Sequence, residues 1–128
     1  MNYLGIDYGL SYIGLAFSDG PLASPLKTIS RSKALTLIPQ IISGLAIDEI
    51  VIGLPEGKIQ KEVQKFIKDL SFLNIPINVT DETLSSHDAR TGLLHTSISR
   101  RKKNEHAASA TIILQNWLDT KGEVVFFP

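Results

Sequence analysis

The feature that most constrains the fold is a pair of short apolar segments near the N-terminus, residues 3–9 and 12–19, with Gly9 at the bend between them. This pattern predicts a β-hairpin. Because side chains alternate along a strand, Leu4 and Ile6 lie on one face and Asp7 lies on the other. An ionised carboxylate on an apolar strand is costly to bury unless a positive charge meets it. Asp7 is therefore either an ordinary turn residue or a ligand for a divalent metal ion.

The length and composition limit the possible classes. With 128 residues the chain is expected to form a single domain over residues 1–128. It has no cysteine, which excludes disulfides, thiolate zinc sites and cysteine nucleophiles and predicts a cytoplasmic protein. Basic and acidic residues balance at 13 each, so a nucleic-acid surface would have to be local. No apolar run is long enough to span a bilayer, so no membrane association is expected.

The middle of the chain alternates between strand and helix patterns. The spacing predicts an edge strand over 26–29, a helix over 32–46, a buried strand over 47–55, an amphipathic helix over 58–73 and a strand over 75–79. A strand, a helix and a strand at this spacing form a right-handed βαβ unit. The fold class predicted is α/β, with a mixed five-stranded sheet made of a three-strand antiparallel meander and parallel strands, flanked by helices.

Pro39 interrupts the first helical pattern. Proline is tolerated in the first turn of a helix, where its missing N–H has no partner to lose. If Thr36 is the N-cap, Pro39 falls in that first turn and the helix is shorter than the pattern suggests.

The C-terminal third predicts helices separated by a polar segment. A helix is expected to begin at Ser85 or Ser86 and to end at His95, and the basic stretch that follows, through residue 104, predicts a loop. The last helix is predicted over 105–118, and residues 123–127 would add a strand or pack on the core.

Several residues able to bind a metal ion lie at predicted strand ends or at the start of the last helix. They are Asp7, Glu56, Asp81, Glu82, Glu105 and His106. Their joint placement suits a two-metal hydrolytic site, in which ions about 3.5 to 4 Å apart stabilise the attacking and leaving oxygens of a phosphodiester. Each also has an ordinary interpretation, as a turn carboxylate, a first-turn helix carboxylate or a capping histidine. Asp81 and Glu82 are neighbours on a strand, so only one of them is expected to face the site.

Basic residues form a local cluster despite the neutral total. They are Arg100, Arg101, Lys102 and Lys103, with Lys27 and Arg31 as extensions of the same face. Such a cluster is either a solvated loop or a surface that holds the phosphates of a nucleic acid.

Five segments, taken in order, resemble the motifs of the YqgF/RuvX family of RNase H-like proteins. They are residues 6–9, 13–19, 51–55, 81–85, and 101–103 with 107–115. Proteins of this family are described as Holliday junction resolvases or as nucleases that mature the 5′ end of pre-16S rRNA. The resemblance implies an RNase H-like fold and metal-dependent hydrolysis of phosphodiester bonds.

The resemblance also implies roles for single residues. Asp7 would be the metal ligand on strand one, and Glu82 would be the acidic residue of the family's Asp-Glu-Arg motif, in which Thr83 replaces the arginine. At the start of the last helix the family usually carries Asp, where this chain has His106. The cofactor expected is Mg²⁺ or Mn²⁺, and a histidine ligand favours Mn²⁺. With an unperturbed pKa near 6.5, such a ligand would bind metal less well as the pH drops.

Two functions follow as hypotheses. The first is a metal-dependent nuclease that acts on structured RNA or branched DNA, as a monomer or weak homodimer. The second is a catalytically inactive relative that binds nucleic acid but has lost full metal binding through His106. A third resemblance, of residues 6–9 to the phosphate-binding hairpin of actin-like ATPases, would need two such lobes, and the chain is long enough for one.

Overall fold

A computed structural model describes residues 1–54, 60–81 and 98–124, without the side chains at 54, 60, 81, 98–105 and 121–124. The five strands in this part of the chain are β1 (Tyr3–Tyr8), β2 (Tyr12–Ser18), β3 (Ser24–Ser30), β4 (Glu49–Leu54) and β5 (Ile77–Asp81). The α-helices are α1 (Ala34–Gly44), α2 (Gln60–Leu70) and α3 (Ile98–Val124). Single 3-10 turns, Arg31–Lys33 and Ser71–Leu73, precede α1 and follow α2.

The strands form one mixed sheet in the order β3-β2-β1-β4-β5. The pairs β1/β2 and β2/β3 are antiparallel, whereas β1/β4 and β4/β5 are parallel. The predicted meander with parallel strands is therefore confirmed. All six residues of the central strand β1 are buried, because the sheet is covered on both faces.

Each face of the sheet has its own core. One face packs against α1 and α2, with Leu4, Ile6, Ile13, Leu15, Ile50 and Ile52 meeting Ile38, Val63, Phe66 and Leu70. The other face packs against α3, with Tyr3, Ala16 and Val51 meeting Ala110, Ile113 and Leu114. Because side chains alternate along β1, Asp7, four residues after Tyr3, lies on the same face as Tyr3, which α3 covers.

The N-terminus of α1 differs from the prediction. The helix begins at Ala34 with Lys33 as its N-cap residue, which excludes the alternative in which Thr36 is the N-cap. Pro39 is the sixth residue of the helix and lies in its interior. Pro39 has no N–H to donate to the carbonyl of Leu35, so the helix lacks that hydrogen bond.

The last helix begins earlier and ends later than predicted. It runs for 27 residues from Ile98 to Val124, so the basic stretch at 100–103 is helical and the predicted loop there is wrong. Arginine and lysine are good helix formers, and a run of charge alone does not indicate a loop. The predicted helix over 85–95 lies outside the described residues. Among those that are described, no helix is both long and apolar enough to cross a membrane.

Candidate active site

Asp7 lies near the carboxyl end of β1. The residues in register with it on the neighbouring strands, together called the row of Asp7, have small side chains or none. In register with it are Gly14 on β2 and Gly53 on β4, and Thr80 continues the row on β5. The Asp7 side chain is only 8% exposed. The two neighbouring glycines have no side chains, so they allow another element to approach the sheet closely beside the carboxylate.

Helix α3 crosses this row at His106 and lies directly on the strand backbone. A Cβ atom at Gly14 would overlap the carbonyl group of His106 and crowd the nitrogen of Ala107. A Cβ atom at Gly9 would stand 2.9 Å from Cε1 of the His106 ring. Glycine at these positions therefore sets how closely α3 approaches the hairpin, and with it the position of His106.

The buried carboxylate and the histidine ring meet. The His106 Nδ1 atom lies 3.2 Å from the Asp7 Oδ2 atom, although the residues are 99 positions apart in sequence. The His106 side chain is 30% exposed, so the pair reaches from the interior to solvent. The contact supplies the Asp7 carboxylate with a polar partner, which a buried carboxylate requires.

The pair also fits part of a divalent cation site. Two ligand atoms at right angles around an ion, each bonded at about 2.1 Å, are about 3 Å apart. The observed separation of 3.2 Å is close to that value. Carboxylate oxygen and imidazole nitrogen are both donors for Mn²⁺ and related metals. Within residues 1–54, 60–81 and 98–124, the described side chains include no cluster of three such donors, so the pair is an incomplete site there.

The other predicted metal ligands have side chains outside the described part. The backbone of Asp81 is in register with Leu54, one residue beyond the row of Asp7. Glu105 precedes His106 within α3. Glu56 and Glu82 lie outside the described residues, and their assignment as ligands stays a prediction.

The predicted basic residues separate into two groups. Lys27 is in register with Leu15, a residue of the core against α1 and α2, and this register assigns Lys27 to the sheet face opposite Asp7. The Arg31 Nη1 atom donates to the Tyr8 hydroxyl at 3.4 Å, and both residues line a cleft of about 280 Å³ between α1 and α2. Lys27 and Arg31 thus do not share the face of Asp7.

The basic stretch at 100–103 belongs to the helix that carries His106. It precedes His106 by three to six residues, which corresponds to about 5 to 9 Å along the helix axis. Since α3 passes over Gly5 at Leu114 and over Gly14 at His106, its N-terminal turns continue beyond the row of Asp7.

One residue near the site was missed by sequence reasoning. Tyr12, the first residue of β2, is 47% exposed, and its ring centroid lies 6.5 Å from that of His106. The available signal was its spacing of two from Gly14, which assigns both to one face of the strand. The sequence alone shows neither the exposure nor the neighbouring histidine.

Comparison with known proteins identifies close relatives. The family model described as "RuvX: Holliday junction resolvase" matches residues 1–120. A protein of Protochlamydia amoebophila described as "Putative pre-16S rRNA nuclease" is 37% identical, and the match covers 92% of this chain and 93% of that protein. A protein of Thermoanaerobacter pseudethanolicus with the same description is 36% identical over 94% of this chain and 98% of its own length.

Solved structures with the same fold are more distant in sequence. The structure of Thermus thermophilus RuvC with a Holliday junction substrate has a TM-score of 0.62 at 12% identity, covering 95% of this chain and 96% of that one. The fowlpox virus resolvase with substrate Holliday junction DNA has a TM-score of 0.63 at 9% identity, covering 94% and 99%. At this level of identity the likeness establishes the fold.

Proposed function

This chain belongs to the RuvX family of Holliday junction resolvases and is a nuclease by that membership; we propose that it hydrolyses phosphodiester bonds at the edge of the sheet where Asp7 and His106 meet. The observation that carries this placement is the 3.2 Å contact between Asp7 Oδ2 and His106 Nδ1. It joins a buried carboxylate to a partly exposed imidazole at the carboxyl end of the central strand.

We propose that Asp7 and His106 hold a divalent cation. Their oxygen and nitrogen atoms have the separation that neighbouring ligands of one ion require. Further ligands are proposed among the acidic residues whose side chains the structure does not describe, namely Glu82, Asp81, Glu56 and Glu105. When bound, such a cation supplies Lewis-acid stabilisation of the charge on the reacting phosphate.

The protein contributes a fixed geometry around that cation. The Asp7 carboxylate is held by a strand that pairs on both sides, so its position does not depend on a loop. The His106 ring is oriented by the Asp7 carboxylate and by the close docking of α3 on Gly14. Burial of the carboxylate lowers the local dielectric, which strengthens its attraction for a cation. The two residues are proposed as catalytic because both would bind the ion that touches the reacting phosphate.

The relatives favour an RNA substrate. The proteins described as pre-16S rRNA nucleases are 36% and 37% identical to this chain, whereas the structures that contain junction DNA are 12% and 9% identical. We therefore propose processing of the 5′ end of pre-16S rRNA as the first candidate and cleavage of branched DNA as the second. The basic stretch at 100–103 is proposed to hold the phosphate backbone of either substrate. We propose that the protein acts in the cytoplasm as a monomer or weak homodimer.

The test compares cleavage of two labelled substrates, a pre-16S-like RNA and a four-way DNA junction, in Mg²⁺ and in Mn²⁺. Wild type is expected to cut at least one of them, and Asp7→Asn is expected to lose cleavage because it removes the buried charge. Asp19→Asn is the matched control, since it makes the same chemical change at an exposed residue just beyond the far end of β2.

Two outcomes would contradict the proposal. If Asp7→Asn cuts as fast as wild type, the reaction takes place elsewhere. If wild type binds both substrates but cuts neither in Mn²⁺, the protein is an inactive relative that binds nucleic acid, and the replacement of the family's aspartate by His106 becomes the leading explanation.

A further inference from the structure

We infer that Tyr12 is a stacking platform for an unpaired nucleobase of the substrate, next to the phosphate held at Asp7 and His106. The inference rests on the proposed nuclease function and adds the class of substrate to it. That class is a nucleic acid, RNA or DNA, with an unpaired nucleotide close to the cleaved bond.

Tyr12 is positioned by the hairpin itself. It opens β2 and lies two residues before Gly14, so both belong to the face of the sheet over which α3 passes. Its ring is tilted by 41° relative to the His106 ring, at a centroid distance of 6.5 Å. The ring therefore stands beside the proposed catalytic pair on the same face.

The exposed fraction increases from Asp7 through His106 to Tyr12. The side chains of Asp7 and His106 are 8% and 30% exposed, and Tyr12 is 47% exposed. Leu10, in the turn just before, is also an exposed large apolar residue. Tyr12 is about half exposed, so it keeps surface that a flat ligand can cover.

A nucleobase is the flat ligand that a nuclease substrate supplies. Bases of single strands stack on aromatic side chains irrespective of sequence, because every base has a π-face. Bases inside a duplex are covered by their neighbours and do not offer that face. The Tyr12 ring lies 6.5 Å from the His106 ring. The stacked base would thus lie close to the phosphate held at His106.

The competing explanation is that Tyr12 only supports the His106 ring. A supporting residue would alter cleavage of every substrate and would leave the binding of unpaired strands unchanged. A stacking residue would alter binding itself, and only for substrates with an unpaired base. The two roles are therefore separable by a binding measurement that involves no cleavage.

Binding is measured by fluorescence anisotropy without divalent cations, for a duplex with a single-stranded overhang and for a blunt duplex, each made as RNA and as DNA. Tyr12→Ala is expected to weaken overhang binding by about 5- to 160-fold, the range for loss of one base–aromatic stack. Binding of the blunt duplex should be unchanged. Tyr12→Phe should bind as wild type, because it keeps the ring.

The matched control is Phe72→Ala. Phe72 is 63% exposed and lies in the 3-10 turn after α2, so the same loss of an exposed aromatic ring occurs away from the site. It should leave all four affinities unchanged. A scan of abasic nucleotides through the overhang adds a second test. One position should weaken wild-type binding but not Tyr12→Ala binding, because ring and base are the two halves of one contact.

The inference is overturned if Tyr12→Ala binds the overhang as tightly as wild type, if it weakens the blunt duplex equally, or if Tyr12→Phe loses as much as Tyr12→Ala. If any one of these three results is obtained while wild type still cuts its substrate, the inference about Tyr12 fails and the proposed nuclease function stands. If wild type neither binds nor cuts any of the nucleic acids, the proposed function fails as well. Comparison of the RNA and DNA arms shows which of the two supplies the unpaired base.

Discussion

Gly14 of β2 lies directly beneath the carbonyl group of His106, with no side chain between strand and helix. The contact between His106 and Asp7 depends on this approach. A helix packed on an ordinary strand stands off by the thickness of the side chains, and His106 would then be lifted away from the carboxylate. Gly14 thus sets the separation of the Asp7 and His106 side-chain atoms.

Replacing Gly14 by alanine is expected to displace α3 and separate His106 from Asp7. The added methyl group overlaps backbone atoms, which cannot move aside as a flexible side chain does. We expect a loss of about 1 to 3 kcal/mol in the free energy of unfolding, measured with urea, and a loss of cleavage beyond what unfolding explains. Gly20→Ala is the control, since a Cβ there meets open space. Wild-type activity in Gly14→Ala would show that the close approach is unimportant.

Replacing His106 by aspartate is expected to raise the affinity for Mg²⁺ by about tenfold or more, because a second carboxylate adds ligand charge. The preference for Mn²⁺ expected of the wild type should weaken, since imidazole suits Mn²⁺ better than Mg²⁺. Isothermal titration calorimetry with each ion measures both effects. Without metal the variant should melt at a lower temperature than wild type, because two adjacent carboxylates repel, and Mg²⁺ should reverse this loss.

His106→Asn separates the charge from the loss of the ring. It removes the imidazole and adds no carboxylate, so it is expected to bind both ions more weakly than wild type. Identical titrations for wild type and His106→Asp would mean that His106 takes no part in metal binding.

Neutralising the basic start of α3 is expected to reduce the salt dependence of nucleic-acid binding. In the double variant Arg101→Gln/Lys102→Gln, the magnitude of the slope of log affinity against log salt concentration should decrease by about 0.7 to 0.9 for each phosphate that the protein no longer neutralises. The matched control is Lys27→Gln with Lys65→Gln. Lys27 belongs to the sheet face opposite Asp7, and Lys65 lines the cleft between α1 and α2. A larger effect in the control pair would place the nucleic acid on that opposite face.

Replacing Ala46 by glycine is expected to stabilise the protein. The Ile47 N–H donates to the Ile42 carbonyl at 3.0 Å and the Ala46 N–H to the Ser43 carbonyl at 3.4 Å, which is the Schellman pattern after α1. Ala46 takes the left-handed conformation there, with φ of 52°. Glycine removes the steric penalty, and after the added chain entropy the gain should be about 0.5 to 1 kcal/mol.

Thermal and urea unfolding test this change, with Gly44→Ala as a control for helix propensity at the end of α1. Cleavage activity should not change, because Ala46 is exposed and lies in the connection from α1 to the amino end of β4. Asp7 lies near the carboxyl end of the neighbouring parallel strand β1. A lower stability in Ala46→Gly would show that the strain at this position is negligible.

Local sequence patterns predict most of the strands and helices of the fold. The hairpin, the buried β-branched strand β4 and the amphipathic helix α2 each have a period or composition that one conformation alone satisfies. The predicted boundaries differ from the structure by a few residues, as for β5, which begins at Ile77. The predicted start of α3 is wrong because a run of basic residues is compatible with both helix and loop, and packing further along the helix decides between them.

The sequence by itself determined the strand and helix order, the face on which Asp7 lies and, through the family resemblance, the pairing of Asp7 with His106 as candidates. Only the tertiary structure decided that Asp7 Oδ2 and His106 Nδ1 lie 3.2 Å apart and that Tyr12 is exposed beside the histidine. It also decided that Lys27 and Arg31 belong to the opposite side of the sheet. Periodicity acts within a segment, whereas these relationships depend on the register between strands and on the depth at which α3 docks on the hairpin. That depth is set by the absence of a side chain at Gly14. The sequence shows this glycine, but no local pattern shows that α3 passes over it.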